Sequence, residues 1–241
     1  MTTRLARTSP QVIARVAGIL YVLIAVVAIY SVFIVSNNLI VPGDATATAT
    51  NIAESEGQFR AGILGYLIIF LSEIVLTTLL YVLLKPVSKT LSLMAAIFRL
   101  VMTTIHGINL LNRFFVLILL SGVTYLSVFE TEQLHALVLL FLDAHDLGFA
   151  IGIVFLSFHV LILGYLVYRS GFIPRIFGVL LFVAFFGYLI DSFAMLLVAG
   201  YDATPLYLVI PIFVAEVVFP LWLVIRGVNV ERWEQRSRDS A

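Results

Sequence analysis

The sequence predicts an all-α fold: a polytopic integral membrane helix bundle of about six transmembrane helices, with both termini cytoplasmic. Three observations carry this. Of 241 residues, 62% are hydrophobic and 12% charged, whereas soluble domains run at about 45–50% apolar and about 25% charged. Six stretches reach the roughly 20 apolar residues that a spanning helix needs. The basic residues gather in alternate connections, as the positive-inside rule requires.

Arg4, Arg7 and Arg15 precede or open the first stretch, 14–36. It exceeds the 7–15 apolar residues typical of a signal peptide and has no cleavage site after it, so it reads as a retained first span. The connection 37–60 contains "DATATAT", which reads as a polar turn, and "NIAESEGQF", where Asn51 is placed to cap a short surface helix over 52–58. An ordinary connector is the alternative. The second span, 61–84, starts beside Arg60 and ends before Lys85 and Lys89.

The third span covers 90–112, with apolar sequence extending to 128; the fourth covers 147–168, with apolar sequence from 134. Taken whole, 90–129 and 134–168 make helices on the order of 50 Å long, against about 30 Å of hydrocarbon. The expectation is a long hairpin whose excess is partly covered, by the 37–60 connection or by a second copy of the chain; the alternatives are a strong tilt or a break into shorter pieces. Gly171 suits a helix end and Pro174 a first turn, opening the fifth span, 174–199. The sixth, 206–225, leads into a short cytoplasmic tail, 226–241, carrying Arg226, Arg232, Arg236 and Arg238. Arg169 and Arg175 lie between spans four and five. The opposite connections hold Asp44, Glu54, Glu56, Glu130, Glu132 and Asp202. Residues 1–241 thus read as a single membrane domain in the plasma membrane.

An internal repeat is also expected. "ARVAGILYVLIAVVAIYSVF" (14–33) aligns with "PRIFGVLLFVAFFGYLIDSF" (174–193), matching Arg15 with Arg175, Gly18 with Gly178 and Phe33 with Phe193. "SEIVLTTLLYVLLK" (72–85) resembles "AEVVFPLWLVIR" (215–226), pairing Glu73 with Glu216. Spans 1–2 and 5–6 would then be related hairpins flanking the 3–4 hairpin.

The informative residues are the polar ones inside the spans. Counting about 1.5 Å per residue from each basic boundary, Glu73, Arg99, His159 and Glu216 share a level near the midplane. His106 and Asp191 share a second level nearer the outside. Asn109, Asn112, Arg113, His145 and Asp146 fall at the outer interface. Arg99, Thr103, His106, Asn109 and Arg113 line one helix face; His145, Gly148, Gly152, Phe155 and His159 line another. The two faces are expected to meet, with Gly148 and Gly152 allowing close approach. A midplane charge costs at least about 2.5–3.5 kcal/mol, so Arg99 is expected to pair with Glu73, Glu216 or both.

The candidate binding residues are therefore Arg99, Glu73, Glu216, His159, His106 and Asp191. No catalytic residue stands out: there is no HExxH, P-loop or dinucleotide glycine motif. No metal or cofactor is expected; if a metal is held, His159, Asp191 and Glu216 are its ligand types. His106 and His159 differ in depth by about 10 Å, which argues against a bis-histidine haem. With no cysteine, disulfides, thiolate metal sites and cysteine nucleophiles are excluded. A formal net charge of zero points away from nucleic acid.

Several strings carry a resemblance: "GYLVYRSGFIPRIFGVLL" (164–181), "NIAESEGQFRAGI" (51–63), "LLYVLLKPV" (79–87), "FRLV" (98–101), "YLIDSF" (188–193) and "AEVVFPLWLVIRG" (215–227). Together, over about 14–227, they resemble the bacterial and archaeal membrane-protein family termed domain of unknown function 4386. The resemblance implies a multi-pass helical membrane protein and brings no activity, cofactor, partner or catalytic residue with it.

The leading functional expectation is non-enzymatic: a carrier or receptor-like binder of a small or lipid-like molecule, using the midplane polar cluster. The alternatives are a metal-dependent intramembrane hydrolase and a structural scaffold or partner subunit whose buried charges only set packing. The lipid bilayer, a small-molecule or lipid ligand and a second copy of the chain are the expected partners.

Overall fold

The computed structural model describes residues 9–201 and 204–240; Arg4, Arg7 and Asp202, which entered the charge pattern, lie outside the described residues. Helix α1 (Pro10–Ala28) starts with proline in its first turn, where the missing N–H costs nothing. It continues through a π-helical segment (Ile29–Ile34) into α2 (Val35–Leu39). The "DATATAT" stretch is not a turn: it forms α3 (Ala45–Glu54), whose cap is Asp44, accepting from the Ala47 amide at 2.9 Å. Asn51 lies within α3 rather than at a cap, and its side chain donates to the Leu39 carbonyl at 3.4 Å. The alanines favour helix, and the buried Thr48 hydroxyl is satisfied by both backbone groups of Val41.

Helix α4 (Glu56–Leu84) follows at once. Helix α5 (Lys89–Asn109), capped by Ser88, is separated from α6 (Leu111–Leu119) by an interruption at Leu110. The third apolar stretch therefore does not run as helix to 128. It breaks at Gly122, whose φ of +68° suits glycine, and passes through a 3₁₀ turn (Thr124–Leu126). The partner helix does run long: α7 (Thr131–Ser170) has 40 residues, from a Glu130–Gln133 capping box to a left-handed Gly171. Helices α8 (Arg175–Leu197), α9 (Leu206–Ile225) and α10 (Val230–Asp239) complete the chain. Among the described residues, six segments are long and apolar enough to cross a membrane: α1–α2, α4, α5–α6, α7, α8 and α9.

The overlong hairpin is covered from within the chain. Val35, Leu39, Ala49, Ile52 and Phe59 pack with Val116 and Leu117 of α6 and with Val138 and Leu142 of α7. The 37–60 segment thus supplies the cover that the apolar excess requires.

The spanning helices form a closed ring, each packed on its neighbours in the order α1, α4, α5–α6, α7, α8, α9 and back to α1. Three hairpins make up the ring. A Cβ at Gly18 of α1 would lie 2.8 Å from Val224 of α9, and one at Gly178 of α8 would lie 2.7 Å from the Gly164 carbonyl of α7. Each glycine sits where the first helix of one hairpin crosses the second helix of the preceding hairpin. The two glycines paired by the repeat thus occupy equivalent places.

The described chain ends meet at the basic end of the bundle. The Gln11 side chain donates to the Arg226 carbonyl at 2.9 Å and accepts from the Val228 amide at 3.0 Å. Trp233 donates from Nε1 to the Leu83 carbonyl at 2.8 Å. The segment expected as a tail therefore contains a docked helix, α10.

Candidate functional site

Each of the six spanning segments delivers one polar side chain to a common centre: Tyr21, Glu73, Arg99, His159, Tyr188 and Glu216. Arg99 is 3% exposed. Its Nε and Nη2 donate to the two carboxylate oxygens of Glu73, the latter at 3.0 Å. Its Nη1 donates to the Tyr21 hydroxyl at 2.9 Å and lies 3.0 Å from His159 Nε2. His159 Nδ1 stands 2.8 Å from the Ala95 carbonyl. A carbonyl only accepts, so Nδ1 carries the proton and Nε2 is the acceptor for Arg99. The guanidinium also lies 4.8 Å from the centre of the Tyr21 ring, a cation–π distance.

Glu216 is held differently. It is part-buried and stands beside Tyr188, within Coulombic reach of Arg99. No cation touches it: the ion pairs among the described residues are Glu56–Arg60 and Glu73–Arg99. The pairing expected for Arg99 is thus made by Glu73 alone, which reaches it by a two-point contact. Pro211 and Pro220 lie on either side of Glu216 within α9. Pro220 has no N–H for the Glu216 carbonyl four residues back. Glu216 therefore presents a carboxyl without a cation and a backbone carbonyl without its usual helical donor.

The two expected helix faces do meet. His106 stacks on Phe149 with ring centroids 4.5 Å apart, and a Cβ at Gly152 would lie 2.1 Å from His106 Nε2. Gly148 makes the same room for Asn109. His106 sits away from the Arg99 centre, bonded to the Phe149 carbonyl at 3.0 Å. Asp191 is also elsewhere, accepting from Tyr201 at 2.5 Å and Thr204 at 3.1 Å in the α8–α9 connection. The structure therefore gathers Arg99, Glu73, His159 and Glu216, while His106 bonds to the Phe149 carbonyl and Asp191 to Tyr201 and Thr204. The ligand set His159, Asp191 and Glu216 does not assemble, and no three His, Asp or Glu side chains among the described residues come together as metal ligands.

Arg113 and His145, placed at the outer interface by depth, are each 2% exposed. Arg113 lies 5.5 Å from the Phe59 ring and 5.0 Å from the Tyr66 ring, and donates to Ser36 at 3.1 Å. Ser36 and Phe59 come from the segments that fold over the hairpin, so the burial is a tertiary effect that depth alone does not contain. Tyr21 and Tyr188 were missed for another reason: an uncharged tyrosine in an apolar span carries no midplane penalty to mark it.

A closed ring of six apolar helices around a buried polar centre defines an all-α polytopic membrane protein. Within that class, the chain belongs to the family described as Domain of unknown function (DUF4386), whose sequence model matches residues 16–227. The chain is 32% identical over 167 residues to an Archaeoglobus fulgidus protein described as "Uncharacterized protein", a match covering 68% of this chain and 83% of that relative. No solved structure matches the chain.

Proposed function

We propose that this protein is a carrier or receptor-like binder of a small amphipathic molecule bearing a cationic or hydrogen-bond-donating group, received by Glu216. The observation that carries this reading is the contrast between the two carboxyls of the centre. Glu73 is taken by Arg99, while Glu216 has no cation in contact. An anionic ligand would have to displace Glu73 from Arg99, so the carboxyl without a cation favours the opposite ligand charge. Ionisable residues within spans mark substrate or proton pathways often enough to make this the natural reading.

The test uses two lipophilic cations, tetraphenylphosphonium and ethidium, with detergent-purified protein. Binding should be lost in Glu216→Gln while Arg60→Gln leaves it intact. Equal binding to wild type and Glu216→Gln, or none of either probe, sinks the proposal. The scaffold reading instead requires every substitution at the centre to alter thermal stability alone.

A further inference from the structure

We infer that the basic end of the bundle holds a site for one anionic glycerophospholipid, in the crevice between α1, α4 and α10. The crevice has a volume of about 820 Å³. Its lining combines apolar and charged side chains. Ile13 of α1 and Leu79 and Val82 of α4 form an apolar wall, and Lys85, Ser237 and Arg238 add charge and hydroxyl groups. Lys85 follows the last residue of α4, where that span leaves the hydrocarbon. An apolar wall leading to cations at headgroup level fits acyl chains attached to a phosphate. Basic pockets between spanning helices are recurrent sites for acidic lipid headgroups.

The third wall is fixed in place. Helix α10 is capped by Asn229, which accepts from the Arg232 amide at 3.0 Å. It is pinned by Trp233 to the Leu83 carbonyl and by Arg232 Nη1 to the Gly171 carbonyl at 3.1 Å. Trp233 also lines the crevice, and tryptophan is at home at the headgroup boundary. Two cations, Lys85 and Arg238, face one carboxylate, Glu234, in the lining. None of the three is in an ion pair; the ion pairs among the described residues are Glu56–Arg60 and Glu73–Arg99. The crevice thus has positive charge to offer a phosphate. By contrast, the groove of about 560 Å³ beside Gly164, Tyr168 and Gly178, on the α7–α8 side, is almost wholly apolar in its lining and has nothing to recognise a headgroup.

The inference is independent of the Glu216 reading, since it shares no residue with that centre. Its test is titration of the full-length protein in mild detergent with phosphatidylglycerol or phosphatidylcholine, followed by thermal unfolding and native mass spectrometry. Phosphatidylglycerol should raise the unfolding temperature and one molecule should remain bound per chain; phosphatidylcholine should do neither. Each cation contributes on the order of 5-fold in affinity, so Lys85→Gln with Arg238→Gln should weaken phosphatidylglycerol by about 25-fold. Both side chains are exposed, so the double variant keeps its fold. Inorganic phosphate and glycerol phosphate serve as headgroup-only probes. If either matches phosphatidylglycerol, the site takes free phosphate and the lipid assignment fails. Equal effects of the two lipids, or undiminished binding by the double variant, overturn the site itself.

Discussion

Arg99 on α5 and Glu73 on α4 face each other through a two-point ion pair whose side chains are 4% and 7% exposed. The pair joins two neighbouring helices of the ring. Through Tyr21 and His159, Arg99 also binds α1 and α7. Four helices therefore depend on one guanidinium.

Removing one partner of a buried pair strands the other charge, at a cost of about 3–5 kcal/mol. Arg99→Leu and Glu73→Leu should each lower thermal stability in mild detergent by that amount. The double variant should recover much of the loss, because no lone charge remains. A double variant as unstable as the two single losses added together would show that the ion pair does not govern these helices.

Glu216→Gln should behave unlike Glu73→Gln. No cation contacts Glu216, so neutralising it breaks no ion pair and should cost about 0.5–1.5 kcal/mol, the worth of one ordinary hydrogen bond. Glu73→Gln removes the charge that Arg99 faces and should cost about 2–3 kcal/mol. Unfolding curves of the two variants side by side decide the matter. Equal losses would mean that both carboxyls are structural and would weaken the case for Glu216 as a ligand site.

Gly152 is where a small residue does visible packing work. An added methyl would lie 2.1 Å from His106 Nε2, and His106 is held by its stack on Phe149. Gly152→Ala should therefore destabilise by about 1–3 kcal/mol through overpacking. Adding His106→Ala should relieve the collision and restore part of the loss. If the second change only adds a further loss, the contact between these faces is looser than this geometry requires.

The legible parts of the sequence were those where membrane depth leaves a mark. Apolar stretches end at lysine or arginine, so Glu73, Arg99, His159 and Glu216 could be placed on one level before any contact was known. The 4, 3, 3, 4 spacing from Arg99 to Arg113 and the 3, 4, 3, 4 spacing from His145 to His159 gave the facing surfaces because each follows the helical repeat. The missing parts are those set by tertiary cover. Nothing in "DATATAT" alone reveals that it caps at Asp44 and lies over α7, and without that cover the burial of Arg113 and His145 does not show. The interruption at Leu110 has no proline to announce it. The assignment of Arg99 to Glu73 rather than Glu216 depends on side-chain reach across the ring, which depth counting does not resolve.

Arg113 gives the sharpest remaining test. Its guanidinium is buried, yet among the described residues its hydrogen bond is to Ser36, and Nε and Nη1 have no partner there. The faces of Phe59 and Tyr66 return part of the lost hydration through cation–π contact, but an unpaired buried charge is costly. Arg113→Met keeps the length and the aromatic contacts without the charge, so it should raise thermal stability by about 1–2 kcal/mol. Arg113→Lys should not, because it retains the charge and loses the flat stack on the rings. Unfolding of both variants in detergent and in lipid nanodiscs makes the comparison. A loss greater than about 1 kcal/mol for Arg113→Met would mean that the guanidinium takes an acceptor from outside these helices. The covered end of the hairpin would then be a second binding region.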